Sequence, residues 1–178
     1  MDSLEPSRTR VLLEGRPGAG KTTVARRLAG VLVDANLSVG GFTTREIREG
    51  TRRVGFAIEV SGGGEGVLAH VKLPGPPRVG KYGVDLAAFE ELAIPALSAG
   101  GDVMIVDELG RMELASERFR QVVWELLEAP ISLVATIQAR PDTFTDALKR
   151  RPEVELLRVT QENRERLPRE LGKRFGQG

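Results

Sequence analysis

The chain has 178 residues, 26 Lys and Arg against 25 Asp and Glu, a formal net charge of +1 and no cysteine. The length suits one domain over residues 1–178, and the missing cysteines exclude a disulfide framework, a thiolate metal site and a cysteine nucleophile. The near balance of charge argues against nucleic acid or an anionic membrane as a partner.

In chain order, Val11-Leu12-Leu13 reads as a short buried strand ending at Gly15, and Lys21 to Ala35 as a helix with Val24, Ala25, Leu28 and Leu32 on one face. Between residues 40 and 71, glycine-punctuated β-prone segments with turns at Glu49-Gly50-Thr51 and Gly62-Gly63-Gly64 predict an antiparallel hairpin insertion. A loop is expected from Pro74 through Gly83, then a helix capped by Asp85 and running to Ser98. Val103–Val106 reads as a second core strand, Glu117–Leu127 as a helix, Ile131–Ile137 as a third strand and Thr143–Arg150 as a short helix. Leu156–Val159 is a last strand, with Thr160 capping a final helix through Leu171. Strands alternating with helices predict an α/β fold whose mostly parallel central sheet is covered on both faces.

Gly15-Arg16-Pro17-Gly18-Ala19-Gly20-Lys21-Thr22 matches the phosphate-loop pattern G-x-x-x-x-G-K-[ST] in full, between a strand and a helix. Glycines let the backbone bend close to phosphate, successive N–H groups point inward, and the helix end adds its positive field. Lys21 supplies a point charge for the β- and γ-phosphates, Thr22 a hydroxyl for Mg²⁺, and Thr23 continues the nucleotide-binding turn. Val103-Met104-Ile105-Val106-Asp107-Glu108 then places two carboxylates at the carboxyl end of a buried strand, where ligands bind in open α/β sheets. Asp107 is assigned to the metal, directly or through water. Glu108 is assigned to orienting the attacking water, with metal binding as its alternative. Thr136 is either a γ-phosphate or water contact or simply a strand residue. Arg111 and Arg140 are candidates for neutralising the departing phosphate, with a solvated surface arginine as the alternative for each. The lone histidine, His70, reads as structural or surface, and Arg45, Arg48, Arg52 and Arg53 with Glu46 and Glu49 read as a solvated mixed-charge face.

The chain resembles the small nucleoside-triphosphatases that include the thermophilic enzymes and the cancer-related nucleoside-triphosphatase. The stretches that carry the resemblance run from Gly40 to Arg48, Arg53 to Phe56, Val79 to Asp85, Asp107 to Leu114 and Thr160 to Arg164. The resemblance implies a three-layer P-loop NTPase fold, RecA-like and kinase-like, and Mg²⁺-dependent hydrolysis of ATP, GTP, CTP and UTP with broad base tolerance. It carries Lys21, Thr22, Asp107 and Glu108 onto the phosphate and metal positions, and Asn163 and Arg164 onto a base or ribose contact. Lys81 and Tyr82 match a block whose role the sequence does not assign. Thr43 stands where tyrosine is usual and Arg111 where lysine is common.

Two other readings compete: a nucleotide or small-molecule kinase with its acceptor pocket in the hairpin, and a non-catalytic nucleotide switch. A glutamate directly after the metal aspartate predicts that Ile131–Ile137 lies between the first strand and Val103–Val106. The opening MDSLEPSRTR lacks the apolar core of a signal peptide, so a cytoplasmic monomer is expected.

Overall fold

In the computed structural model residues 8–176 are described, so most of the N-terminal stretch read for targeting signals lies outside them. Strand β1 (Arg10–Gly15) is buried along its whole length. It has parallel neighbours on both sides, β8 (Ser132–Gln138) and β9 (Val154–Arg158), which is why its sequence is continuously apolar through Val11-Leu12-Leu13. Strand β7 (Val103–Val106) pairs in parallel with β8 and with β2 (Val39–Glu49). The order β2-β7-β8-β1-β9 puts β8 between β1 and β7, as the Asp107-Glu108 pair predicts.

Alternation along the strands feeds two cores. Leu12, Met104, Val106, Leu133 and Ala135 face helices α2 (Leu86–Ser98) and α3 (Glu117–Glu128), where Phe42, Phe89 and Phe119 pack with ring centroids 5.0–5.9 Å apart. Val11, Leu13, Ile105 and Val134 face helix α1 (Lys21–Asp34) and helix α5 (Leu167–Phe175) on the other side. Helix α4 (Thr143–Lys149) adds Leu148 to the first core. The result is the expected three-layer arrangement.

Two expectations change and one is extended. The antiparallel segment expected between residues 40 and 71 is present, and it continues the central sheet. β2 is the parallel neighbour of β7 and also the antiparallel partner of β3 (Arg52–Val60), and β4 (Glu65–His70) continues the same sheet. The expected loop from 74 to 83 holds two short strands, β5 (Arg78–Val79) and β6 (Tyr82–Val84), because β6 pairs with the edge of β4. The last helix starts at Leu167 and not after Thr160: residues 161–166 are turns, and Pro168 occupies the first turn of α5, where its missing N–H costs nothing.

Gly41 is where β2 is squeezed against β7. Its φ is +92°, and a Cβ there would lie 1.9 Å from the Ile105 carbonyl oxygen. We expect Gly41→Ala to destabilise the chain by about 2–5 kcal/mol, from left-handed backbone strain plus forced separation of the strands. Chemical denaturation measures this; a midpoint equal to wild type would contradict the packing described.

Candidate active site

The carboxyl ends of β1, β7 and β8 open onto one cleft. After Gly15 the chain turns through Arg16–Gly20, with the Ala19 N–H bonded to the Arg16 carbonyl at 3.0 Å, and enters α1. Gly20 has φ +104°, a conformation that disfavours any other residue. The first turn of α1 carries no acidic residue and no side-chain cap, so its positive end is left for an anion. Lys21 is buried, and its Nζ donates to the carbonyls of Gly15 at 2.8 Å and Arg16 at 3.3 Å.

Asp107 is fully buried and held by three threonines. Thr22 Oγ1 donates to its Oδ1 at 3.1 Å and Thr136 Oγ1 to the same oxygen at 2.6 Å. Thr44, on β2, brings its N–H to 3.3 Å and its hydroxyl to 3.4 Å from Oδ2. Thr136 is thus a residue of strand β8, as one of its two readings has it, and its hydroxyl orients Asp107. Glu108 accepts from Gln138 Nε2 at 3.0 Å through Oε1, and its Oε2 lies 4.0 Å from Lys21 Nζ. Burial raises the Glu108 pKa; the Gln138 hydrogen bond and the Lys21 charge pull partly the other way.

The phosphate loop and the two acids thus converge. Lys21, Thr22, Thr23 and Glu108 share a cleft of about 600 Å³ with Arg111, Arg140 and Arg164. Neither Arg111 nor Arg140 makes an ion pair among the described residues. The outer wall is formed partly by Arg45, Glu46, Arg53 and Phe56, so the mixed-charge face divides. Arg45 is tied to Glu59 at 2.7 Å and to Glu65 at 3.1 Å, and Arg53 to Glu46 at 2.9 Å. Arg48 and Arg52 do not line this cleft. Tyr82 now has a place: its hydroxyl accepts from Arg53 Nε at 3.1 Å and its ring meets Phe56 edge-on, while Lys81 lies over that ring. The block thus braces the outer wall. Thr43 lines neither large cavity; its neighbour Thr44 does. His70 is structural, its Nδ1 accepting from the Lys72 N–H at 3.1 Å.

A second cavity of about 540 Å³ lies between Gly15–Ala19 and the loop Arg158–Gln161. Asn163 builds this loop: its Oδ1 accepts from the Thr160 N–H at 2.8 Å and its Nδ2 donates to the Arg158 carbonyl at 2.7 Å. Both polar groups are therefore engaged with backbone. Arg164 lies instead over the phosphate loop, where a Cβ on Gly20 would come 2.9 Å from its Cδ. Sequence reasoning gave no role to Thr44, Gln138 or Glu113; all three sit within motif blocks or at a strand end, where a polar residue beside a ligand crevice is the only available signal.

A family model described as NTPase matches residues 10–171. Nucleoside-triphosphatase THEP1 of Thermotoga maritima is 41% identical over 165 residues, covering 91% of this chain and 92% of that protein. The human cancer-related nucleoside-triphosphatase is 39% identical over 173 residues, covering 88% of this chain and 91% of its own. The crystal structure of THEP1 from the hyperthermophile Aquifex aeolicus superposes with a TM-score of 0.82 at 31% identity, covering 92% of this chain and 96% of that one. Sequence, fold and the convergence of phosphate loop and acids agree, and the chain belongs to the NTPase family, the phosphate-loop hydrolases that include these nucleoside-triphosphatases.

Proposed function

We propose that the chain is an Mg²⁺-dependent nucleoside-triphosphatase that converts ATP, GTP, CTP and UTP to the diphosphate and phosphate. The observation that carries this reading is that Lys21, Thr22, Asp107 and Glu108 meet at one cleft. The residues suit Mg²⁺: a hydroxyl and a carboxylate lie 3.1 Å apart, and no group of three acidic or histidine ligands occurs among the described residues. Mg²⁺ takes few protein ligands and fills its shell with phosphate oxygens and water. When bound by Thr22 and Asp107, the ion supplies charge neutralisation at the β- and γ-oxygens.

The chain's own residues do the rest. Gly15–Thr23 offers backbone N–H groups to the phosphates, and Lys21 leaves the loop carbonyls for the β- and γ-oxygens. Glu108, fixed by Gln138, orients a water toward the γ-phosphorus; the new P–O bond forms as the bond to the β–γ bridging oxygen breaks. Arg111 and Arg140, lining the cleft without carboxylate partners, are assigned to the charge on the transferring group. The nucleobase is assigned to the cavity beside Arg158–Gln161, where Ala19 and Ala139 stand with the longer side chains of Arg16, Arg158 and Gln161; broad base tolerance rests on the family resemblance. Asn163 serves the base indirectly, by shaping that loop. Arg164 serves the ribose end of the triphosphate. We expect Arg164→Ala to raise KM about 5- to 20-fold with a smaller fall in kcat, and an unchanged KM in steady-state kinetics would reject the assignment.

The reading also takes the protein as a cytoplasmic monomer folded as one domain, in keeping with its balanced charge. Among the described residues no helix is long and apolar enough to cross a membrane. The test is phosphate release from each of the four triphosphates, with Mg²⁺ and after its removal by a chelator. Release from none of them would overturn the proposal.

A further inference from the structure

Glu113 opens a 3₁₀ turn, Glu113–Ala115, just behind the catalytic acid. It is 5% exposed and makes no ion pair with a Lys or Arg among the described residues. The turn is pinned by two backbone bonds, Leu109 N–H to the Thr136 carbonyl and Leu114 N–H to the Gly110 carbonyl, each 2.9 Å. This folding brings two carboxyls onto the same face of Gly110. A Cβ on that glycine would lie 2.8 Å from Glu108 Oε1 and 2.9 Å from Glu113 Oε2. Glu108 is thus confined by three groups: Gln138 on Oε1, Lys21 near Oε2, and the bare α-carbon of Gly110 with Glu113 beyond it.

We infer that Glu113 is a positioning residue for hydrolysis: packed with Glu108 over Gly110, it fixes the side-chain orientation that presents Glu108 to the attacking water. The inference rests on the hydrolytic reading above. The surroundings also set its form. An ionised Glu113 would be buried without a cation and next to Glu108, and both effects push its pKa well above the ordinary glutamate value. A neutral carboxyl lets Glu108 carry the negative charge of the pair. Glutamine has the same shape and is neutral, so it should replace Glu113, whereas an apolar side chain should not.

The experiment measures kcat, KM and equilibrium nucleotide binding for Glu113→Gln, Glu113→Leu and Gly110→Ala, with Glu108→Gln as reference. We expect Glu113→Gln to keep kcat within about threefold, and Glu113→Leu and Gly110→Ala to lower it about 10- to 100-fold with KM within about threefold. Adding Glu113→Leu to Glu108→Gln should cost little more, since both act through one group. Gly110→Ala leaves the Glu113 side chain intact and reads the same packing should Glu113→Leu fold poorly. Several results would overturn the inference. Glu113→Gln as inactive as Glu108→Gln would make Glu113 an ionised participant. Full activity in Glu113→Leu would make it filler, and a loss confined to KM would place it in nucleotide binding. A multiplicative loss in the double variant would separate it from Glu108. A wild-type chain that releases no phosphate sinks the hydrolytic reading itself, and this inference with it; an active wild type with an active Glu113→Leu sinks only the inference.

Discussion

Glu108→Gln is expected to lower kcat at least about a hundredfold while nucleotide affinity stays within about threefold. The amide keeps the size of the side chain and can stay near Gln138, so the cleft is preserved. What it loses is the negative oxygen facing Lys21 and the water. An early proton transfer is not required, because the loose transition state of phosphoryl transfer asks mainly for a correctly aimed nucleophile. An amide presents one acceptor and one donor where the carboxylate presents two acceptors; with its oxygen kept by Gln138, its N–H groups face the water and stabilise the developing charge hardly at all. Single-turnover phosphate release alongside fluorescent-nucleotide titration separates the two effects. Wild-type turnover in this variant would remove Glu108 from its assigned role.

Lys21→Ala should behave differently: both affinity and turnover should fall, each by at least about tenfold. Lys21 is the cation between the loop carbonyls and Glu108, and among the described residues no other ammonium group lines the cleft. In the proposed reaction its charge meets the phosphates in the ground state and more charge in the transition state, so binding and rate should be lost together. Lys21→Arg is not a safe substitute. The 2.8 Å approach to the Gly15 carbonyl, in a site where Lys21 is 7% exposed, leaves little room for a planar fork. If Lys21→Ala bound triphosphate as tightly as wild type, the phosphates would have to rest elsewhere.

The parts of this site that sequence made legible are those where one short stretch both folds and functions. The phosphate loop is local, and its glycines, lysine and threonine declare themselves. Val103–Val106 appears with the bounds expected, because four apolar residues before two acids admit one reading in an alternating α/β chain. The position of β8 between β1 and β7 followed from a single glutamate. What stayed hidden depends on contacts between distant segments. Thr44 and Thr136 reach Asp107 across 63 and 29 residues, and nothing in either segment marks a hydroxyl as aimed at a carboxylate. β5 and β6 span two and three residues, too short for any periodicity, and exist because β4 offers an edge. The end of the chain was misread because Thr160 looks like a helix cap, while Asn163 takes its N–H into a turn first. Glu113 carries no signal of its own within the Asp107–Leu114 stretch; only its burial beside Glu108 sets it apart.

One strand ties these contacts together. Along β2, Phe42 is paired with Val106, Thr44 touches Asp107, and Arg45 and Glu46 reach the far side of the cleft. That far side thus belongs to the middle of a strand that is paired with β7 at one end, beside Asp107, and with β3 along most of its length. It cannot swing shut on a hinge as a separate flap would; closing it means flexing the sheet itself. The gap is consequently a fixed jaw, and in the proposed reading long arginine side chains rather than moving backbone complete the grip on the triphosphate.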